Sequence, residues 1–291
     1  MSRVEPWLHS PKATSEIINK YAFRFKKSFG QNFLIDSNVI KKIISAADIK
    51  ADDFILEIGP GIGTLTQHLA FSAGNVAAVE IDDRLIPVLD ETLTGYDNVT
   101  VINEDVLNVD LEKLVSERSP GKRIKVIANL PYYVTTPVIM ELLKISGLIR
   151  SITIMVQKEV ADRMAADPGT KDYGALSLAV EYYCGVKKIT DVSPNCFMPR
   201  PEVTSSVIQL NIRDEKQPVK DERLMFKLIK AAFAQRRKTL LNSLRNSGEF
   251  NLTKEQWEEA LEKLGIEPSV RGEKLKLEDF VKLADEIMNF L

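Results

Sequence analysis

Apolar positions along the chain fall into short runs separated by amphipathic stretches. Residues 54–58, 76–79, 99–102, 126–128 and 151–157 are apolar enough to read as buried strands. Helical periodicity between them predicts helices over about 65–71, 84–93 and 137–145. Upstream, the pattern predicts a helix over 15–22 and a second one capped by Asp36 or Ser37 and running to Ala47. Repeated strand–helix alternation predicts a parallel sheet with helices on both faces. Beyond Lys158 a helix to Ala165, a polar loop over 167–174, a helix over 175–183 and closing strands over 186–192 and 205–212 are expected.

The polar stretch 213–218 then reads as a linker. After it, Leu224, Leu228, Ala231, Ala232, Leu240 and Leu244 mark the apolar face of one helix expected from about 221 to 246. Helices over 254–264 and 277–290 complete a small helical domain. The division expected is an N-terminal extension at 1–24, an α/β domain at 25–213 and a helical domain at 214–291.

A chain of 291 residues with 44% hydrophobic content holds enough apolar material for one large domain and a smaller one. No run is long enough to span a bilayer, and the first 30 residues lack the apolar segment of a secretory signal. Two cysteines, Cys184 and Cys196, fit a reduced, cytoplasmic protein. His9 and His68 have no partners at zinc-like spacing, so no metal is expected. The net charge of −2 argues against a nucleic-acid partner, but its distribution argues for one. Arg24, Lys26 and Lys27 interleave with Phe23, Phe25 and Phe29, an arrangement in which rings stack on bases and cations meet phosphates. A hydrophobic staple is the alternative reading of those rings. Arg236, Arg237 and Lys238 form a second cluster, placed on the long helix and read as phosphate contacts.

The chemistry concentrates at strand ends. Strand 54–58 runs into Gly59-Pro60-Gly61-Ile62-Gly63, and the glycines let backbone approach a ligand where a side chain would collide. Glu80 closes the next strand, where a carboxylate can accept both hydroxyls of a ribose. The spacing G-x-G-x-G, with Thr64 where a dinucleotide fingerprint wants glycine, argues against a nicotinamide enzyme. With Glu57 just before the turn, the motif looks like the first motif of S-adenosylmethionine-dependent methyltransferases. Asp105 follows the third strand and can accept from an adenine amine, while the Val106 N–H can reach a ring nitrogen. The fourth strand ends in Asn129-Leu130-Pro131-Tyr132-Tyr133: an amide oxygen and a carbonyl to accept from an exocyclic amine, and a ring to stack. Pro131 stiffens that turn. In the loop after Asn195, prolines 199 and 201 can hold Phe197 over the pocket opposite Tyr132.

Gly30-Gln31-Asn32-Phe33-Leu34, residues 57–63, Glu80, Asp105, residues 129–132, residues 197–203 and Ala234-Gln235-Arg236-Arg237-Lys238-Thr239-Leu240 occur together and in order. From about residue 20 to the C-terminus the chain closely resembles the bacterial small-subunit ribosomal RNA adenine N6,N6-dimethyltransferases, the KsgA/RsmA family. The resemblance implies a Rossmann-like class I methyltransferase domain followed by a small all-helical domain. It implies transfer of two methyl groups from S-adenosylmethionine to N6 of each of two adjacent adenosines near the 3′ end of 16S ribosomal RNA. It also implies that Asn32, Leu34, Gly59, Gly61, Glu80, Asp105, Val106 and Asn129 line the cofactor. Asn129, Leu130, Pro131, Tyr132 and Phe197 would take the target base. The implied partner is a pre-assembled small ribosomal subunit, met by a monomer. Two rival readings stay open here. One is a large-subunit ribosomal RNA adenine methyltransferase of the macrolide-resistance type. The other is an RNA-binding assembly factor that does not need methylation.

Overall fold

The computed structural model describes residues 4–22 and 31–291, which fold as two units. One comprises Met1–Ala161 with Val186–Ile212, the other Asp162–Gly185 with Arg213–Leu291. Basic residues Arg24, Lys26 and Lys27 lie outside the described residues.

In the first unit the chain opens with α1 (Pro11–Lys20), capped by the Ser10 hydroxyl with a proline in the first turn. The predicted helix over 15–22 thus starts earlier and ends two residues sooner. β1 (Phe33–Leu34) leads to α2 (Ser37–Ala47), whose N-terminal amides are capped by the Asp36 carboxylate. Then come β2 (Phe54–Ile58), α3 (Thr64–Ser72), β3 (Asn75–Glu80), α4 (Ile86–Thr92), β4 (Val99–Asn103) and α5 (Leu111–Arg118). They are followed by β5 (Ile124–Asn129), α6 (Thr135–Lys144), β6 (Ile149–Gln157) and α7 (Lys158–Met164), within which the unit boundary falls after Ala161. β7 (Cys184–Val192), β8 (Phe197–Met198) and β9 (Ser205–Ile212) complete the strands.

Seven strands form one sheet in the order β4-β3-β2-β5-β6-β9-β7. β4 through β6 pair in parallel, whereas β9 runs antiparallel to β6, so the sheet is mixed rather than wholly parallel. The reason is local: β7 and β9 are separated by the proline-bearing segment 193–204, with no crossover helix to return the chain to the same end. β2 is buried at all five positions and β5 at the first five of six, as central strands covered on both faces must be. β4 at the edge has no fully buried residue. From β2 the chain moves outward through β3 to β4, then returns to the other side of β2 as β5. That reversal leaves a crevice at the carboxyl ends of β2 and β5, where such sheets take their ligands.

Residues 4–22 are part of this unit rather than a separate extension. The Trp7 and Leu8 amides both donate to Gln67 Oε1 on α3, each at 3.0 Å. The Tyr96 hydroxyl donates to the Glu5 carbonyl, and Lys20 and Tyr21 both reach the Glu91 carboxylate. Half-buried His68 stacks edge-on against His9, and burial pushes its pKa down to about 4, so it is neutral at pH 7.

In the second unit, α8 (Ala175–Tyr183) packs on α9 (Glu222–Ala234), which also meets α10 (Leu240–Asn246) and α12 (Leu277–Ile287). α11 (Lys254–Lys263) packs on α12, with Trp257 and Phe280 fully buried. Residues 162–185 therefore belong with the helical unit, unlike the division at 213/214 expected from sequence, because the apolar face of α8 is covered by α9.

The helix expected over 221–246 is two helices. Ala234 ends α9, and the Thr239 hydroxyl accepts from the Asn242 amide to start α10. Every apolar position named for its face is buried, yet a side-chain cap interrupts the backbone between them. The cluster at 235–238 thus lies in the turn between two helices. Arg236 donates to the Tyr173 carbonyl and pairs with Glu273, so its guanidinium has a role within the fold. Arg237 and Lys238 are exposed.

Candidate active site

The crevice at the ends of β2 and β5 holds a cavity of about 170 Å³. Its floor is the glycine turn after β2. Gly59, Gly61 and Gly63 have φ of 71°, 61° and 90°, the left-handed region that side chains disfavour. A Cβ on Gly61 would stand 3.0 Å from the Phe33 ring, and one on Gly63 would stand 2.9 Å from the Thr92 hydroxyl. Glycine is needed there for space as well as conformation.

At the end of β3 sits Glu80, only 5% exposed. Its carboxylate accepts from the Gly61 amide at 3.1 Å and from the Asp82 amide at 2.9 Å, which aims it across the glycine turn. Burial raises its pKa to about 7, partly offset by those two amides. Asp82 is itself held by Arg84 at 2.5 Å and by the Gln31 side-chain amide at 2.7 Å. These contacts tie the segment before β1 to the acid after β3. Glu57, one residue inside β2, is 1% exposed, and burial pushes its pKa to about 8. It does not line the cavity, Oε2 has no hydrogen-bond partner among the described residues, and burial favours the protonated form of Glu57 beneath the glycine turn.

After β4, Asp105 and Val106 line the cavity; one Asp105 oxygen accepts from the Leu107 amide. At the end of β5, the Asn129 side-chain nitrogen donates to the Asn32 carbonyl at 3.1 Å. That bond sets which way the amide points and leaves Oδ1 as its acceptor. The Leu130 amide donates to the Met155 carbonyl on β6 at 3.2 Å, which fixes the Asn129–Leu130 peptide. Pro131 also lines the cavity, and its carbonyl accepts from the Val134 amide and the Thr135 hydroxyl. The Tyr132 hydroxyl is 2.9 Å from the Ser205 hydroxyl, which pins the ring.

Of the residues read from sequence, Asn32, Gly59, Gly61, Glu80, Asp105, Val106, Asn129, Leu130, Pro131, Tyr132 and Phe197 all line this one cavity. Leu34 does not: it is 4% exposed within the core and pairs with Phe197 between β1 and β8. Phe197 is itself 3% exposed, so it forms wall rather than rim. Arg236, Arg237 and Lys238 belong to the other unit. Sequence reading did not assign Gln31, Phe33, Ile81, Leu85, Glu104 or Tyr133, which also line the cavity. Ile81 carried a usable signal. It is an apolar residue directly after a strand-end acid, and it is 42% exposed.

The match to known proteins decides the class. Residues 22–289 match the ribosomal RNA adenine dimethylase family. The chain belongs to the ribosomal RNA adenine dimethylase family. Among its relatives, a ribosomal RNA small subunit methyltransferase A from Lachnoclostridium phytofermentans is 58% identical over 97% of this chain and 98% of its own length. Its counterpart from Alkaliphilus oremlandii is 54% identical over 96% and 98%. A dimethyladenosine transferase from Plasmodium falciparum superposes with a TM-score of 0.73 at 29% identity, over 88% of this chain and 98% of that one. The 23S rRNA methyltransferase ErmE superposes with a TM-score of 0.63 at 25% identity, over 88% and 100%. This member of the dimethylase family is therefore an rRNA adenine methyltransferase with the class I fold. No helix is long and apolar enough to cross a membrane, and no cluster of three potential metal ligands occurs among the described residues.

Glu80, expected from sequence to accept from the cofactor ribose, has a pKa near 7, so cofactor binding is expected to improve as it ionises. Below pH 7 a proton must leave Glu80 before it can accept from two hydroxyls. The expected affinity for S-adenosylhomocysteine falls about tenfold per pH unit below about 7 and levels off above it. Calorimetric titration between about pH 5 and 8 checks this. A flat profile, or one that Glu80→Gln does not flatten, removes the role.

Proposed function

We propose that this protein dimethylates N6 of two adjacent adenosines near the 3′ end of small-subunit ribosomal RNA, using S-adenosylmethionine. The observation that carries the reading is the Asn129 amide, held by the Asn32 carbonyl in the lining of the same cavity as the glycine turn and Glu80, with Oδ1 left as its acceptor. The residues fit the cofactor. The left-handed glycines let the chain pass close to its methionine part, Glu80 would accept from its ribose, and Asp105 with the Val106 amide would read its adenine. When bound, S-adenosylmethionine supplies an electrophilic methyl group.

This chain's residues prepare the nucleophile. The N6 lone pair of adenine is delocalised into its ring, which makes it a weak nucleophile. Hydrogen bonds from N6 to Asn129 Oδ1 and the Leu130 carbonyl favour a pyramidal nitrogen with its lone pair directed at the methyl. Asn129 is too weak a base to take the proton, so positioning and electrostatics carry the acceleration, and the methylated N6, cationic and strongly acidic, gives its proton to water after the sulfur has left as a neutral thioether. Alignment of this kind lowers a barrier by about 7–11 kcal/mol. The target base must leave its stack, and the Tyr132 and Phe197 rings would replace the stacking it gives up. Arg237 and Lys238 supply phosphate contacts.

The small-subunit target is favoured over the large-subunit one by relatives named for the small subunit at 48–58% identity, against 25% for ErmE. The retained Glu80, Asp105 and Asn129 favour catalysis over a purely binding role. The test is incubation of the protein and labelled S-adenosylmethionine with small subunits from a strain that lacks this modification. Label is expected in N6,N6-dimethyladenosine after nucleoside digestion. Label on large-subunit RNA alone moves the assignment to the resistance type, and tight binding without label supports an assembly factor.

A further inference from the structure

The family match begins at residue 22, yet the chain before it is built into the first unit. Leu8 is fully buried and Ile17 is 5% exposed. Both belong to one apolar cluster with Phe33, Ile62, Leu85 and Val88. Two of those partners, Phe33 and Leu85, line the cavity. Phe33 is also the ring against which Gly61 is packed without room for a Cβ. Residues 4–22 thus form a layer directly behind the cofactor wall.

We propose that this N-terminal segment is a positioning strap, which sets cofactor affinity by holding Phe33 and Leu85 against the glycine turn. Its attachments suit that task. Gln67 is fully buried on α3, the helix that follows directly on Gly63. Its Oε1 accepts from the Trp7 and Leu8 amides, while its Nε2 donates to the Thr92 carbonyl at 2.8 Å. Thr92 Oγ1 in turn donates to the Ile62 carbonyl, inside the glycine turn. One hydrogen-bonded path therefore runs from strap backbone through Gln67 and Thr92 to the turn, beside the apolar path through Leu8 and Phe33. At its other end Lys20 and Tyr21 hold Glu91 on α4, and the Ser15 hydroxyl points at the Met198 sulfur, next to Phe197. A segment that only added stability would not converge on two cavity residues and the glycine turn.

The inference rests on the cavity being the cofactor site, and the experiment separates the two. Calorimetry with S-adenosylhomocysteine is run on the full-length protein, on Leu8→Ala and on Leu8→Ile. Truncation opens space behind Phe33, and a wall displaced by a fraction of an ångström is expected to weaken binding about tenfold. The KM for S-adenosylmethionine should rise in parallel, with kcat and RNA affinity within about twofold of the unaltered protein. Leu8→Ile keeps the volume and should restore affinity. If Leu8→Ala is not recovered folded, Ile17→Val is read in the same way, with a loss of about threefold expected. Affinity within about twofold of the unaltered protein in the truncated variant, whatever its melting temperature, overturns the strap. Failure of the unaltered protein to bind S-adenosylhomocysteine overturns the reading of the cavity instead.

Discussion

Replacement of Asn129 by alanine is expected to lower kcat by about 10²–10³-fold, the loss typical of removing one preorganised group aimed at a transition state. Binding of RNA should change little, because the basic side chains remain. The variant also loses the bond to the Asn32 carbonyl, which costs about 1 kcal/mol of stability. Asn129→Asp separates the two effects. A carboxylate still accepts from N6 but cannot donate to Asn32, so its orientation is no longer set. Its kcat should fall between those of the alanine variant and the unaltered protein. Single-turnover methylation with small subunits, alongside filter binding of RNA, checks both variants. Parallel loss of RNA binding and of transfer would show that Asn129 shapes the surface rather than the reaction.

Gly61→Ala should weaken cofactor binding severely. Its φ of 61° adds about 1–2 kcal/mol of strain for any residue with a Cβ. That strain is present with and without ligand, so it lowers stability alone. The affinity loss has a different source. The new methyl would sit 3.0 and 3.1 Å from two Phe33 ring atoms. With Leu8 and Ile17 packed in the same cluster, the ring has little room to retreat except into the cavity. A loss of about 100-fold in S-adenosylhomocysteine affinity is expected, the scale on which an ångström of misplacement acts. Gly121→Ala is the control. Its φ of 72° carries similar strain, but Gly121 is not part of the cavity lining and its Cβ would meet nothing within 4 Å. It should melt earlier and still bind. Equal affinities in the two alanine variants would refute the steric account.

Most of the sheet was legible because its strands are buried on both faces and read as unbroken apolar runs. The glycine turn and its acids were legible because each closes a strand, where chemistry collects. What escaped did so for identifiable reasons. α5 has few apolar residues, with only Leu111 and Val115 buried, so its periodicity is faint. The break at 235–239 contains neither glycine nor proline, and a threonine cap leaves no strong mark in an apolar pattern that continues across it. The partnership of α8 with α9 joins segments some forty residues apart, a contact that neither segment announces. Phe33 and Leu85 became cavity residues only through the packing of α1, α3 and α4 around them. Arg236 looked like its two basic neighbours until Glu273 and the Tyr173 carbonyl were brought to it.

The interleaved course of the chain bears on where it can be cut. Its helical unit draws on residues 162–185 as well as 213–291, so no single peptide bond divides the molecule. A fragment ending at Ile212 keeps every strand of the sheet but also keeps α8, whose Leu176, Leu178, Ala179 and Val180 are buried in the intact protein. Stripped of α9, that helix becomes an apolar handle on an otherwise finished domain. The same holds during synthesis: α8 leaves the ribosome some forty residues before its cover and waits for it.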